Sequence, residues 1–215
     1  MKKYFVVLTV LFMGVLVQAQ VNFEGWRVHL PYYKNASVTV AGTKVYCGSN
    51  SGLFTYDVED GSIERLSRIS GLSDVEVKII KHNVAKNISV VIYQNTNIDL
   101  IDHSSNRIYN VPDVFMKSII GAKSINHVCF FENKAYLACS FGIVVLDLDK
   151  KQIVESYQNL GLGGSQLAFL SISIFQNQIF ASAQNAVYTA SLSAPNLSDF
   201  NFWVRTKTST NSGKS

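Results

Sequence analysis

Apolar and polar residues along this chain group into short runs separated by turn-forming residues. Residues 88–93, 98–101, 135–139 and 143–146 are rich in Val, Ile, Leu and Tyr, and Gly, Asn, Asp and Ser bound them. Branched and aromatic side chains suit a pleated, half-buried backbone, so runs of this length and flanking predict strands. Several are apolar at successive positions, as in strands covered on both faces. After the first seventeen residues no segment shows a 3.6-residue period, and the predicted fold class is all-β.

The runs repeat. Residues 44–57 and 134–147 carry Lys, Tyr, Gly and Asp in register, and residues 89–102 form a copy midway between them. Each copy closes on an aspartate, Asp57, Asp102 and Asp147, 45 residues apart, and an isoleucine follows six residues later at Ile63, Ile108 and Ile153. Gly61 and Asn106 lie between aspartate and isoleucine, as in tight hairpin turns where Gly and Asn tolerate positive φ and Asp bonds its own backbone. Lys151 fits that turn less well. A fourth copy over 178–190 lacks the aspartate.

Each copy predicts four strands. In the second they span 77–81, 88–93, 98–101 and 107–111; in the third, 128–131, 135–139, 143–146 and 153–157. The first copy begins at 37–40; the fourth begins at 169–175 and ends at 202–204. Four-stranded units at this period are the signature of a β-propeller, whose blades cover each other's faces. Residues 20–206 hold about four blades. A closed four-bladed ring is one arrangement. A partial ring would instead leave an apolar face at Phe175, Phe180 and Tyr188, larger than a monomer usually exposes.

Ahead of the repeats, Lys2 and Lys3 precede an apolar run over 4–17, and residues 17–19 form a cleavage site before Gln20. This is a secretory signal over 1–19; the run falls short of the ~20 residues that span a bilayer. Residues 207–215 form a polar tail. Net charge is +4, half of it in the signal, so no basic surface for nucleic acid is expected. The chain is 47% hydrophobic and only 16% charged, which gives it a core and argues against disorder. An odd set of three cysteines, Cys47, Cys129 and Cys139, all within apolar runs, reads as buried thiols.

No catalytic, cofactor-binding or metal residue is predicted. His29, His82, His103 and His127 show no metal-ligand spacing, and His82 and His103 read as solvated strand-end and turn residues. Asp57, Asp102 and Asp147 are expected to brace turns. Residues 147–149 begin like a calcium loop but lack its Gly and Glu. Gly161, Gly163 and Gly164 lack the Lys and helix of a phosphate loop and mark an inter-blade linker. Trp26, Tyr32 and Tyr33 form an aromatic cluster that is either packing or a partner surface.

Residues 51–57 and 70–75, with a Gly-Leu-aromatic strand leading to Asp57 and a Gly71-Leu72-Ser73 turn, resemble the two-component-regulator propeller repeat. Together with 26–30, 97–102 and 141–147, they make the chain similar to the PorZ N-terminal β-propeller family of Bacteroidetes. That resemblance implies a larger seven-bladed ring of which this chain holds about four blades. It implies export to the cell surface or outer membrane, with the periplasm as alternative. It also implies a non-enzymatic scaffold whose partners are proteins of a type IX secretion and sortase complex, with anionic lipopolysaccharide as a further partner. The same repeat occurs in the extracytoplasmic ligand sensors of hybrid two-component regulators, which is the alternative function. A propeller enzyme would require paired carboxylates or His/Tyr clusters at repeat-matched loops.

Overall fold

The computed structural model describes residues 35–207, with the side chains of Asn35 and Ala36 excepted. Sixteen strands form four antiparallel sheets, each in simple sequential order. The first blade is β1 Asn35–Ala41, β2 Lys44–Ser49, β3 Gly52–Asp57 and β4 Ile63–Leu66. The second is β5 Val77–Asn83, β6 Ile88–Tyr93, β7 Ile98–Asp102 and β8 Arg107–Val111. The third is β9 Ile125–Phe131, β10 Lys134–Cys139, β11 Gly142–Asp147 and β12 Gln152–Tyr157. The fourth is β13 Ser171–Phe175, β14 Gln178–Ala183, β15 Ala186–Ser191 and β16 Val204–Lys207. One short helix, α1 Asp113–Met116, lies between the second and third blades.

Blades meet through their first strands, β5 against β1 and β13 against β9. Three apolar cores fill the three seams. Leu53, Val77 and Ile80 lie in the first, Val90, Leu137 and Leu146 in the second, and Tyr136, Phe169 and Tyr188 in the third. Among the described residues no core joins the first and fourth blades. Strands β6 and β11 are buried at every position, which is why they read as uninterrupted apolar runs rather than alternating ones.

The repeat turns share one geometry. Oδ1 of Asp57, Asp102 and Asp147 accepts from the backbone N–H two residues on, at 3.1, 3.0 and 2.9 Å. Gly61, Asn106 and Lys151 all have positive φ, at 71°, 52° and 57°, so a lysine occupies the left-handed position in the third copy. In the fourth blade Ser191 stands where the aspartate is lost, and its Oγ accepts from Ser193 N at 3.2 Å. A second bond recurs in every blade: the residue after the aspartate or serine donates to a carbonyl in the first hairpin. The pairs are Val58 with Thr43, His103 with Asn87, Leu148 with Asn133, and Leu192 with Asn177.

Several boundaries differ from the sequence pattern: β5 runs on to Asn83, β9 begins at Ile125 and β13 at Ser171. The last strand is Val204–Lys207 rather than 202–204. Phe200–Phe202 instead forms a 3-10 turn capped by the Asp199 side chain, and Trp203 tucks inward with its indole N–H on the Leu197 carbonyl at 2.9 Å. The strand thus runs one residue into the expected tail. Of the fourth-blade residues expected on an open face, Phe175 is exposed, Phe180 is half-buried, and Tyr188 is buried edge-on against Phe169. The first blade exposes apolar groups as well. Ser37 and Thr39 bond the second blade, so by strand alternation Val38 and Val40 point away from it, and both are exposed.

Candidate functional site: the seams between blades

The first strands of neighbouring blades are bridged by side chains. At the first seam Ser37 Oγ donates to the Ile80 carbonyl at 3.2 Å and accepts from Ile80 N at 3.1 Å, while Thr39 Oγ1 accepts from His82 N at 3.1 Å. Gly48 allows the close approach: a Cβ there would lie 2.4 Å from Val77 Cγ1.

Behind this ladder lies a polar chain that the sequence pattern did not reveal. Ser89 is fully buried. Its Oγ is 3.1 Å from His82 Nδ1 and 2.8 Å from His103 Nε2, and His103 Nδ1 is 3.5 Å from the Tyr46 hydroxyl. The two imidazoles meet edge to face, with centroids 5.2 Å apart. Burial lowers the pKa of both histidines, and their mutual repulsion lowers that of His103 further, which favours neutral rings. A consistent proton order runs from Tyr46 O–H to His103, from His103 N–H to Ser89, and from Ser89 O–H to His82. His82 and His103 are therefore half-buried members of a network, not solvated turn residues. His82 is the register partner of Ser89, His103 lies just beyond β7, whose Ile101 pairs with Ser89, and only the packing of β2 on the second blade adds Tyr46.

In front of Tyr46 and His103 opens a cleft of about 330 Å³, which Lys44, Glu64, Gly71 and Asn106 also line. Lys44 and Glu64 pair across its mouth at 3.3 Å, and this bond raises the lysine pKa. The cleft can hold a small polar ligand by hydrogen bonds. Ser89, being enclosed, is a link in the chain and not a nucleophile facing that cleft.

The linker entering the second blade is held by Asp99, a buried carboxylate in β7. Its Oδ2 accepts from Tyr93 O–H at 2.6 Å and from Ser73 N at 2.7 Å, and its Oδ1 accepts from Asn110 Nδ2 at 3.0 Å. Burial, then the Asp99 charge, pushes the Tyr93 pKa far up. A signal for Asp99 was present in the sequence: Phe54 and Val144 hold its place in the neighbouring repeats.

The second seam is charged: the ion pairs Lys86–Asp149 at 2.8 Å and Lys151–Asp102 at 3.7 Å cross it, and two further lysines reach neutral groups. Lys78 Nζ donates to Ser124 Oγ at 2.6 Å, and Lys81 Nζ donates to the Val128 carbonyl at 2.8 Å. At the third seam His127 Nδ1 accepts from Ile172 N at 3.4 Å, and Asn126 Nδ2 donates to the Phe169 carbonyl at 2.8 Å. The thiols of Cys47, Cys129 and Cys139 are free; Cys139 is buried and the other two are half-buried. Trp26, Tyr32 and Tyr33 lie outside the described residues. Among the described residues no three His, Cys, Asp or Glu side chains cluster as metal ligands, and no helix is long and apolar enough to cross a membrane.

Comparison with known proteins adds the family. Residues 45–204 match the family described as "TSS9, PorZ, N-terminal beta-propeller domain". Among solved structures, the chain is similar to PorZ of Porphyromonas gingivalis, described as an essential bacterial surface component of the type-IX secretion system. Identity is 25% and the TM-score 0.73, over 83% of this chain and 23% of that one. The extracellular domain of a hybrid two-component system from B. thetaiotaomicron matches with TM-score 0.61 at 14% identity, over 82% of this chain and 22% of that one. The computationally designed protein Ika4 matches with TM-score 0.56 at 15% identity, over 77% of this chain and 95% of that one. The last two likenesses show the fold alone. No curated protein matches the chain.

Proposed function

The chain belongs to the PorZ N-terminal β-propeller family, and from this premise we propose that it acts as a non-enzymatic scaffold of the type IX secretion machinery at the bacterial surface. The family match across all four blades carries this reading. The chain spans about a quarter of the length of the PorZ chain it resembles, so the partners come from that family's larger assembly: a sortase complex, with anionic lipopolysaccharide as the anchor to which cargo is joined. Residues 1–19 direct export and are removed, leaving Gln20 first. Blades braced by turn aspartates and side-chain ladders suit a rigid platform, and the Ser89 hydroxyl is enclosed rather than presented to a substrate.

In the source organism, deleting the gene is expected to leave secreted cargo unanchored, and a tagged copy is expected to co-purify with the sortase. Normal anchoring in the deletion strain overturns the reading. The second reading, an extracytoplasmic sensor propeller, is favoured by the fold match to the two-component ectodomain; co-purification with a histidine kinase instead of a sortase would establish it.

A further inference from the structure

Where β5 meets β9, Lys78 and Lys81 gather near His127; the ion pairs that cross this seam, Lys86–Asp149 and Lys151–Asp102, use other residues. A register shift between Val77 and Ile79 disturbs β5, and such a bulge re-aims side chains. Lys78 and Lys81, three residues apart, would face opposite sides of a regular strand; here both reach β9. Neither joins any ion pair among the described residues, where the salt bridges use Lys44, Arg68, Lys86, Lys134 and Lys151. Lys78 finds only the neutral oxygens of Ser124 and Asn126.

His127 supplies an independent observation. The Ile172 backbone N–H can only donate, so the Nδ1 it meets at 3.4 Å carries no hydrogen. A neutral imidazole must then bear its hydrogen on Nε2. That Nε2 lies 3.5 Å from the Lys81 ammonium, so two donors face each other, and Nε2 has no acceptor among the described residues. One anionic oxygen beside them would accept from both and offset the charge of Lys78 as well. Lysine and imidazole N–H groups bind oxyanions strongly because the bonds are charge-assisted.

We propose that the seam between the second and third blades is an oxyanion-binding site, in which Lys81 Nζ and His127 Nε2–H hold a carboxylate or phosphate oxygen and Lys78 adds charge. Burial and the Lys81 charge lower the His127 pKa, which keeps the imidazole neutral and its Nε2 a donor. The inference stands on this geometry and does not depend on the secretion reading.

The test is a titration of the exported chain with sodium phosphate, and separately with sodium acetate, at constant ionic strength held with chloride. The His127 imidazole resonances are followed by NMR. Saturable shifts are expected, and Lys81→Met is expected to weaken binding by ~10-fold or more, the loss of one charge-assisted bond. Lys150→Met, which removes an exposed cation of the third blade's last turn, is expected to change nothing. If His127 does not respond to either anion, or responds without saturation, the proposal fails; the same holds if Lys150→Met weakens binding as much as Lys81→Met. The wild-type titration decides the matter even if Lys81→Met does not fold. Saturation with phosphate alone assigns a phosphate-type ligand, and saturation with acetate alone a carboxylate.

Discussion

The first two seams do the same mechanical job with different chemistry. Between the first and second blades the bridges are neutral: Ser37, Thr39 and the chain through Tyr46, His103, Ser89 and His82. Between the second and third they are charged: Lys78 and Lys81 reach a hydroxyl and a carbonyl, and Lys86–Asp149 and Lys151–Asp102 form ion pairs across the seam. Both seams also rest on apolar cores that supply most of the cohesion. The polar bridges of the first seam use no charged side chain, whereas at the second Lys78 and Lys81 join no ion pair among the described residues. A blade interface can thus be a structural joint or a recognition surface, and the polar residues at its inner edge decide which.

The comparison is broken most severely at Asp99. Asp99→Ala strands the Tyr93 hydroxyl, Ser73 N and the Asn110 amide in a buried place, and loss of one partner from such a network costs ~3–5 kcal/mol. Urea unfolding should show a drop of that size; a change below ~1 kcal/mol would mean the linker does not need its anchor. Next is Gly48→Ala, which sets a Cβ against the buried Val77. Overpacking of this kind costs ~1–3 kcal/mol and should leave the second seam, read through the His127 resonances, unchanged.

Acid sharpens the contrast. The folded-state pKa values of His82 and His103 are depressed by burial, so the unfolded chain takes up protons first. Their contribution to stability is complete above the ordinary histidine value of about 6.5 and is lost as pH falls from there through the folded values. Melting temperature should decline between about pH 6.5 and 5, and His103→Gln should flatten that decline; an unchanged slope would show that the Ser89 chain does not report pH. Carboxylates held low, Asp74 and Asp102 among them, add their own loss only further into acid, below about pH 4. The smallest effect belongs to Lys44→Ala. It removes an exposed pair with Glu64, and such pairs contribute ~0–1 kcal/mol, so the unfolding midpoint should hardly move.

Much of the scaffold was legible because it is local. The 45-residue spacing of Asp57, Asp102 and Asp147 placed the strands to within a few residues, since an aspartate bonding the backbone two residues on needs nothing from elsewhere in the fold. The fourth blade hid its turn because Ser191 performs the same bond with a less conspicuous side chain. The last strand was misplaced because Trp203 buries its indole and draws the preceding residues into a 3-10 turn, a packing event with no local cause.

The candidate sites were hardly legible. His82 and His103 sit where strands end, and taken singly they look solvated; Ser89 joins them because β6 pairs with β5, which carries His82, and with β7, just beyond which His103 lies. Lys78 and Lys81 look like surface lysines until the bulge in β5 turns both toward β9. The sequence by itself determined the all-β repeat, the blade period and the turns, since these follow from backbone preferences and burial of alternate or successive apolar residues. Tertiary structure alone decided which polar side chains meet across the seams and whether a seam is neutral or charged. Those contacts join residues about 45 positions apart, and no local preference encodes the distance at which two blades pack.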